Sequence, residues 1–214
     1  MNLKYKSYWR KSGLKGKWGN IFLNHLKDYK PQKFLEIGVF CGVTARNTCD
    51  YLSRYNKNFS YVGIDLFGGK KKSNNEEIEP NFLKDQKFSN PLKNFYYNVL
   101  LKENLNSLES VSKLLGKYQK NIKLIAGDTN TVLKDNDFSN VDYAFIDGGH
   151  SYDTVINDLE ILYETLKGKK KILFCDDYGE ESYIPEVKSA IDDFVKSKNL
   201  KIKIIENRFA EIIT

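Results

Sequence analysis

The segment AFIDGGHSYD sets Asp147, His150 and Asp153 close together beyond an apolar run, in a chain with two histidines among 214 residues. A second acidic pair, Asp176 and Asp177, ends the run ILFC. Carboxylates gathered at neighbouring strand tips repel one another unless a cation sits among them. A hard divalent ion with oxygen ligands, Mg2+ or Mn2+, meets that need and keeps positions open for substrate. An imidazole next to a hydroxyl polarised by such an ion can take its proton near neutral pH. Asp147, Asp176 and Asp177 are therefore candidate metal ligands and His150 a candidate general base. The plainer alternative for His150 is a turn residue hydrogen-bonded to Asp153 or to a backbone carbonyl. Asp153 itself suits the cap of a helix over TVINDLEILYETL. His25, inside a periodic helix without an acidic cluster nearby in sequence, reads as a surface or packing residue.

Other polar residues follow other apolar runs, and in open α/β sheets ligands settle beyond the carboxyl ends of the strands. LEIGVFCGVT carries Glu36, Gly38, Gly42 and Thr44, where glycines let backbone approach a ligand and Thr44 can open the next helix. The spacing departs from Gly-x-Gly-x-x-Gly, which disfavours a nicotinamide enzyme. Asp65 ends YVGID and is placed either to accept two ribose hydroxyls or to brace a turn. Gly127, Asp128 and Thr129 either address an adenine edge or cap the following helix.

These positions presuppose a particular framework. KFLEIGV, SYVGIDLF, IKLIAGD, VDYAFIDG and KKILFCDDY are short apolar runs. Helical periodicity follows at Val43, Asn98, Asp153 and Ile184. Continuous apolar strands alternating with helices predict a doubly wound, mostly parallel α/β sheet with helices on both faces. KIKIIENRFAEIIT predicts a C-terminal antiparallel hairpin at its edge. WGNIFLNHLKDYK predicts a helix within an N-terminal extension over residues 1–30. The interval from Phe67 to Asn121 is too long for a simple crossover, so residues 68–95 read as an inserted lid or substrate loop and the following stretch as helical.

With 41% hydrophobic residues the chain can bury the core of one domain. The +6 net charge is spread among acidic residues, which argues against a nucleic-acid surface. No segment has the ~20 apolar residues that span a bilayer, so no membrane partner and a cytoplasmic location are expected. Cys41, Cys49 and Cys175 show no paired spacing and read as reduced structural thiols.

Taken together, LEIGVFCGVT, YVGIDLF, AGDT, FIDGGHSYDTVINDLE and ILFCDDYG resemble class I S-adenosylmethionine-dependent methyltransferases of the metal-dependent O-methyltransferase kind. The Asp-Gly-Gly-His-Ser-Tyr-Asp segment with its later acid pair is most similar to the macrocin and mycinamicin sugar O-methyltransferases. The resemblance implies that Glu36, Gly38, Gly42 and Thr44 surround the methionine end of the cofactor. It implies that Asp65 holds the ribose, with Asp128 and Thr129 near the adenine. It further implies Mg2+ or Mn2+ on Asp147, Asp176 and Asp177, His150 as base, and a small hydroxylated acceptor, preferably a sugar. The catechol branch typically carries lysine at the position of His150 and asparagine at that of Asp177, so the chain departs from it. Related enzymes often self-associate, and the aromatic N-terminus (Tyr5, Tyr8, Trp9, Trp18) suits either a partner subunit or the rim of the site.

Overall fold

A computed structural model describes residues 10, 12, 14, 16–68, 90–182 and 184–214. The expected insertion over 68–95 lies largely outside the described residues, as does the N-terminal stretch before Arg10.

Seven strands form one sheet in the order β3-β2-β1-β4-β5-β7-β6. They are β1 (Lys33–Ile37), β2 (Ser60–Asp65), β3 (Ile122–Ala126), β4 (Tyr143–Ile146), β5 (Ile172–Cys175), β6 (Ile202–Ile205) and β7 (Phe209–Ile213). The first five pair in parallel, and β7 runs antiparallel to both β5 and β6. This is the doubly wound sheet with a terminal hairpin that the apolar runs predict. Its order reverses between β1 and β4, where the connections diverge to opposite sides and open a crevice at the strand ends.

Both faces are buried, but they are built differently. Leu35, Ile37, Ile64, Ala144, Ile146 and Leu173 point to an aliphatic core under α5 (Thr129–Asp135), α6 (Tyr152–Leu166) and α7 (Pro185–Ser197). Phe34, Tyr61, Tyr143, Phe145, Phe174 and Phe209 form an aromatic core under α1 (Lys17–Tyr29), α2 (Val43–Leu52) and α4 (Leu108–Leu114). Alternation along the central strands β1, β4 and β5 explains why these runs read as continuously apolar: successive side chains serve opposite faces, and both faces are buried there.

The stretch expected to be helical after the insertion is so, in two segments. A short α3 (Pro91–Phe95) continues as a π-helical turn to Leu101, and Lys102 then closes it at φ 50°. Ser107 starts α4 by accepting the backbone N–H of Ser110 on its hydroxyl. A serine side chain that offers the backbone this bond competes with helix continuation. The first segment keeps Leu92, Phe95, Val99 and Leu100 exposed.

Candidate active site at the strand tips

The ends of β1 and β4 are locked together before any side chain acts. Asp147 donates its N–H to Ile37 O at 2.9 Å, and Gly38 donates to Ile64 O at 2.9 Å. Gly38 has φ +89°, and a Cβ there would stand 1.9 Å from Asp147 O. No other residue tolerates both the conformation and the approach. The sharp exit from β1 therefore depends on this glycine, and it brings the loop after β1 against the acidic segment after β4.

Asp65 braces that loop. Its Oδ2 accepts the N–H of Phe40 at 2.7 Å and its Oδ1 that of Phe67 at 2.6 Å, both residues having positive φ. A carboxylate offers about four acceptor sites, so this bracing leaves capacity for hydroxyl donors. Arg10, which the sequence reading did not single out, ties the same loop to its surroundings through Cys41 O at 3.1 Å and Leu105 O at 2.9 Å. Gly42 caps α2 with φ +75°, so the helix opens at Val43 and Thr44 lies in its first turn instead of starting it. Asp128 caps α5 by accepting the N–H of Asn130, with Thr129 as the first helical residue.

Glu36 lies on the aromatic face and is fully buried. Tyr61 Oη donates to its Oε2 at 2.6 Å, while Oε1 has no hydrogen-bond partner among the described residues. Burial pushes its pKa up to about 8, with the Tyr61 hydrogen bond opposing the rise and the charge of Asp65 adding to it. An acid whose folded-state pKa exceeds its unfolded value contributes stability below the ordinary carboxylate range and loses it as pH climbs through the folded pKa. Stability to denaturant should thus fall by on the order of a few kcal/mol between about pH 5 and 9. Glu36→Gln should make that slope shallower, since Asp65 and Asp147, also raised, keep their share, and a pH profile identical in the two proteins would contradict a proton held on Glu36.

The acidic tips of β4 and β5 are neighbours, Ile146 pairing with Cys175. Asp147, His150 and Asp177 each offer a ligand atom, and these atoms lie within 4.8 Å of one another. His150 Nε2 stands 3.3 Å from Asp177 Oδ2, and the imidazole is largely exposed. Burial, then the charges of Asp176 and Asp177, push the Asp147 carboxyl well above its ordinary pKa. The two carboxylates supply hard oxygens that suit a divalent ion, with the imidazole beside them: octahedral ligands at about 2.1 Å from Mg2+ stand up to about 4.2 Å apart, close to the observed spread.

Asp176 is not part of this cluster. Both its oxygens accept hydrogen bonds from Arg208, Nε to Oδ1 and Nη2 to Oδ2, each at 2.6 Å. The cation expected among the strand-tip acids is, for this carboxylate, a guanidinium from the turn between β6 and β7. Asp153 also differs from its expected role. Ser151 caps α6 by accepting the N–H of Thr154, and Asp153 sits in the first turn, where a negative charge suits the helix dipole.

His25 is buried on the aromatic face. Its Nδ1 meets Tyr143 Oη at 2.7 Å, its Nε2 meets Glu211 Oε2 at 2.5 Å, and its ring stacks on Phe174. The packing alternative is thus the observed one, with a buried acid from β7 that lies far away in sequence.

With this geometry established, comparison with known proteins gives the class. Residues 35–178 match the family described as Methyltransferase domain. That match covers more than half of the chain, which belongs to this family and is an S-adenosylmethionine-dependent methyltransferase. Similar solved structures include the O-methyltransferase NovP, at 16% identity over 90% of this chain and 79% of that one, with a TM-score of 0.59. The calicheamicin methyltransferase CalS11 is 18% identical over 94% of this chain and 80% of its own, with a TM-score of 0.59. The methyltransferase PaMTH1 of Podospora anserina, solved with S-adenosylhomocysteine, is 14% identical over 92% and 79%, with a TM-score of 0.58. Likeness at these identities speaks for the fold. No curated protein matches the chain significantly. Among the described residues, no helix is long and apolar enough to cross a membrane.

Proposed function

We propose that the protein is a divalent-cation-dependent O-methyltransferase that methylates a hydroxyl of a small molecule, with a sugar or glycoconjugate as the favoured acceptor. The observation that carries the reading is the convergence of Asp147, His150 and Asp177 within 4.8 Å at the crevice where the strand order reverses. Asp147 and Asp177 would hold the cation, which when bound supplies Lewis-acid polarisation of the acceptor hydroxyl. S-adenosylmethionine supplies the electrophilic methyl group.

The chain's own residues then divide the work. Asp65, whose oxygens retain acceptor capacity, would orient the ribose, and Gly38 and Gly42 would let backbone come close to the methionine end. Asp128 and Thr129 would border the adenine. His150 takes the acceptor's proton on its imidazole, and Asp177 at 3.3 Å stabilises the resulting imidazolium. An aliphatic hydroxyl is a much weaker acid than a phenol, so an acceptor of that kind needs both the base and the cation. The sugar preference is supported by the histidine at 150 and the aspartate at 177, where the catechol branch typically has lysine and asparagine.

The test is incubation of the full chain with methyl-labelled S-adenosylmethionine, Mg2+ and a panel of nucleotide sugars, glycosides and catechols, with products read by NMR. The expected product carries its label as an O-methyl on a carbohydrate hydroxyl. Transfer to catechols alone would overturn the acceptor class, and transfer only to nitrogen or carbon would overturn the reaction.

A further inference from the structure

The hairpin turn between β6 and β7 delivers a charge to the acidic tips. Cys175 pairs with Ala210 across the antiparallel β5–β7 ladder, so two residues further on Asp177 comes level with Arg208. Tyr178 and Gly179 both donate their N–H to Arg208 O at 3.0 Å, and Glu181 donates to Asn207 O at 3.1 Å. A Cβ at residue 179 would fall 2.0 Å from Asn207 O, so the glycine permits this approach. Held in this way, the Arg208 fork takes both oxygens of Asp176 and lies 4.0 Å from Asp177 Oδ1. The rings of Trp18 and Phe209 cover the guanidinium, with centroids 5.2 Å and 5.4 Å away. Arg208 is 7% exposed and Asp176 2%. A two-toothed pair shut off from water is strong, and opening it strands a buried charge.

We propose that Arg208 is a positioning residue that serves as the resident counter-ion of Asp176, withholding that carboxylate from the divalent cation and leaving Asp147 and Asp177 as its carboxylate ligands. The inference rests on the reading of the strand tips as a divalent-cation site. Guanidinium keeps its charge at any working pH. It has a geometric role as well. Asp176 Oδ1 also accepts the N–H of Asp177 at 2.9 Å, and Asp177 holds φ +59°. Asp176 thus braces the turn that aims Asp177 toward His150 and Asp147, through an acceptor oxygen that an asparagine at 176 would keep. A positive charge close to Asp177 also weakens the site's hold on a second cation, so the bound metal should exchange readily.

The test is Mn2+ binding to the full chain, followed by loss of the free-ion EPR signal, with no acceptor and no turnover involved. Four proteins are compared: native, Asp147→Asn, Arg208→Gln, and the doubly neutral Asp176→Asn with Arg208→Gln. Asp147→Asn should weaken binding by about tenfold or more, as loss of a ligand does. The neutral pair changes no net charge and should bind Mn2+ as the native chain does. Arg208→Gln alone frees a carboxylate and removes a nearby positive charge, and should bind about tenfold more tightly. A tenfold loss in the neutral pair would make Asp176 a ligand and overturn the inference while sparing the metal reading. Unchanged or weaker binding by Arg208→Gln would overturn it too, and decides the matter if the double variant does not fold. No Mn2+ binding by the native chain, or none lost in Asp147→Asn, overturns the metal reading and this inference with it.

Discussion

Replacing His150 by alanine is expected to lower turnover by about 10²–10⁴-fold, the range over which a positioned general base contributes, with affinity for S-adenosylmethionine unchanged. The separation follows from geometry. His150 stands on the exposed turn after β4 with its Nε2 near Asp177, whereas the loop that would receive the cofactor is shaped by Gly38, Asp65 and Arg10. Single-turnover kinetics and calorimetry with S-adenosylhomocysteine measure the two properties independently. Because the imidazole is exposed, free imidazole added to His150→Ala should restore part of the lost rate. Mn2+ affinity gives a further discrimination. A base leaves it intact, whereas a collapse in metal binding would make His150 the third ligand of the cluster. A near-native rate in His150→Ala would return the residue to a turn role.

Chelation of divalent ions is expected to cut turnover by about 10²-fold or more, since Lewis-acid stabilisation is worth several kcal/mol. Cofactor binding should survive. The carboxylates make the case: Asp147 faces the charges of Asp176 and Asp177, and Arg208 is already committed to Asp176. A positive ion held by Asp147 and Asp177 would relieve the remaining repulsion and would supply Lewis-acid polarisation beside His150. Activity that is unchanged in excess chelator, and unchanged when Mg2+ is restored, would contradict this role.

Much of the framework could be read from the chain because a parallel sheet covered on both faces leaves unbroken apolar runs, each ending in a polar residue at the crevice. LEIG, YVGID and YAFID announced their strands and their tips in this way. The cluster of Asp147, His150 and Asp177 was legible for the same reason, since β4 and β5 are successive parallel strands. What escaped depends on partners distant in sequence. Arg208 lies within the predicted C-terminal hairpin, and nothing in that run marks it as the partner of Asp176, 32 positions earlier. Glu211 meets His25 across 186 positions. Nothing in the periodicity of α1 marks that helix as covering a buried acid on β7. The helix caps escaped at a smaller scale: Ser151 caps where Asp153 was expected to act, because several polar residues near a helix start can each supply the cap, and Gly42 takes the cap position ahead of Thr44 with a positive φ and no side-chain bond.

The most direct measurement of the central claim is anomalous diffraction from crystals grown with Mn2+ and S-adenosylhomocysteine. The expected map holds a peak bonded to oxygens of Asp147 and Asp177, His150 beside it, and Arg208 still paired with Asp176. A peak remote from these carboxylates, or none at their tips under saturating Mn2+, would contradict it.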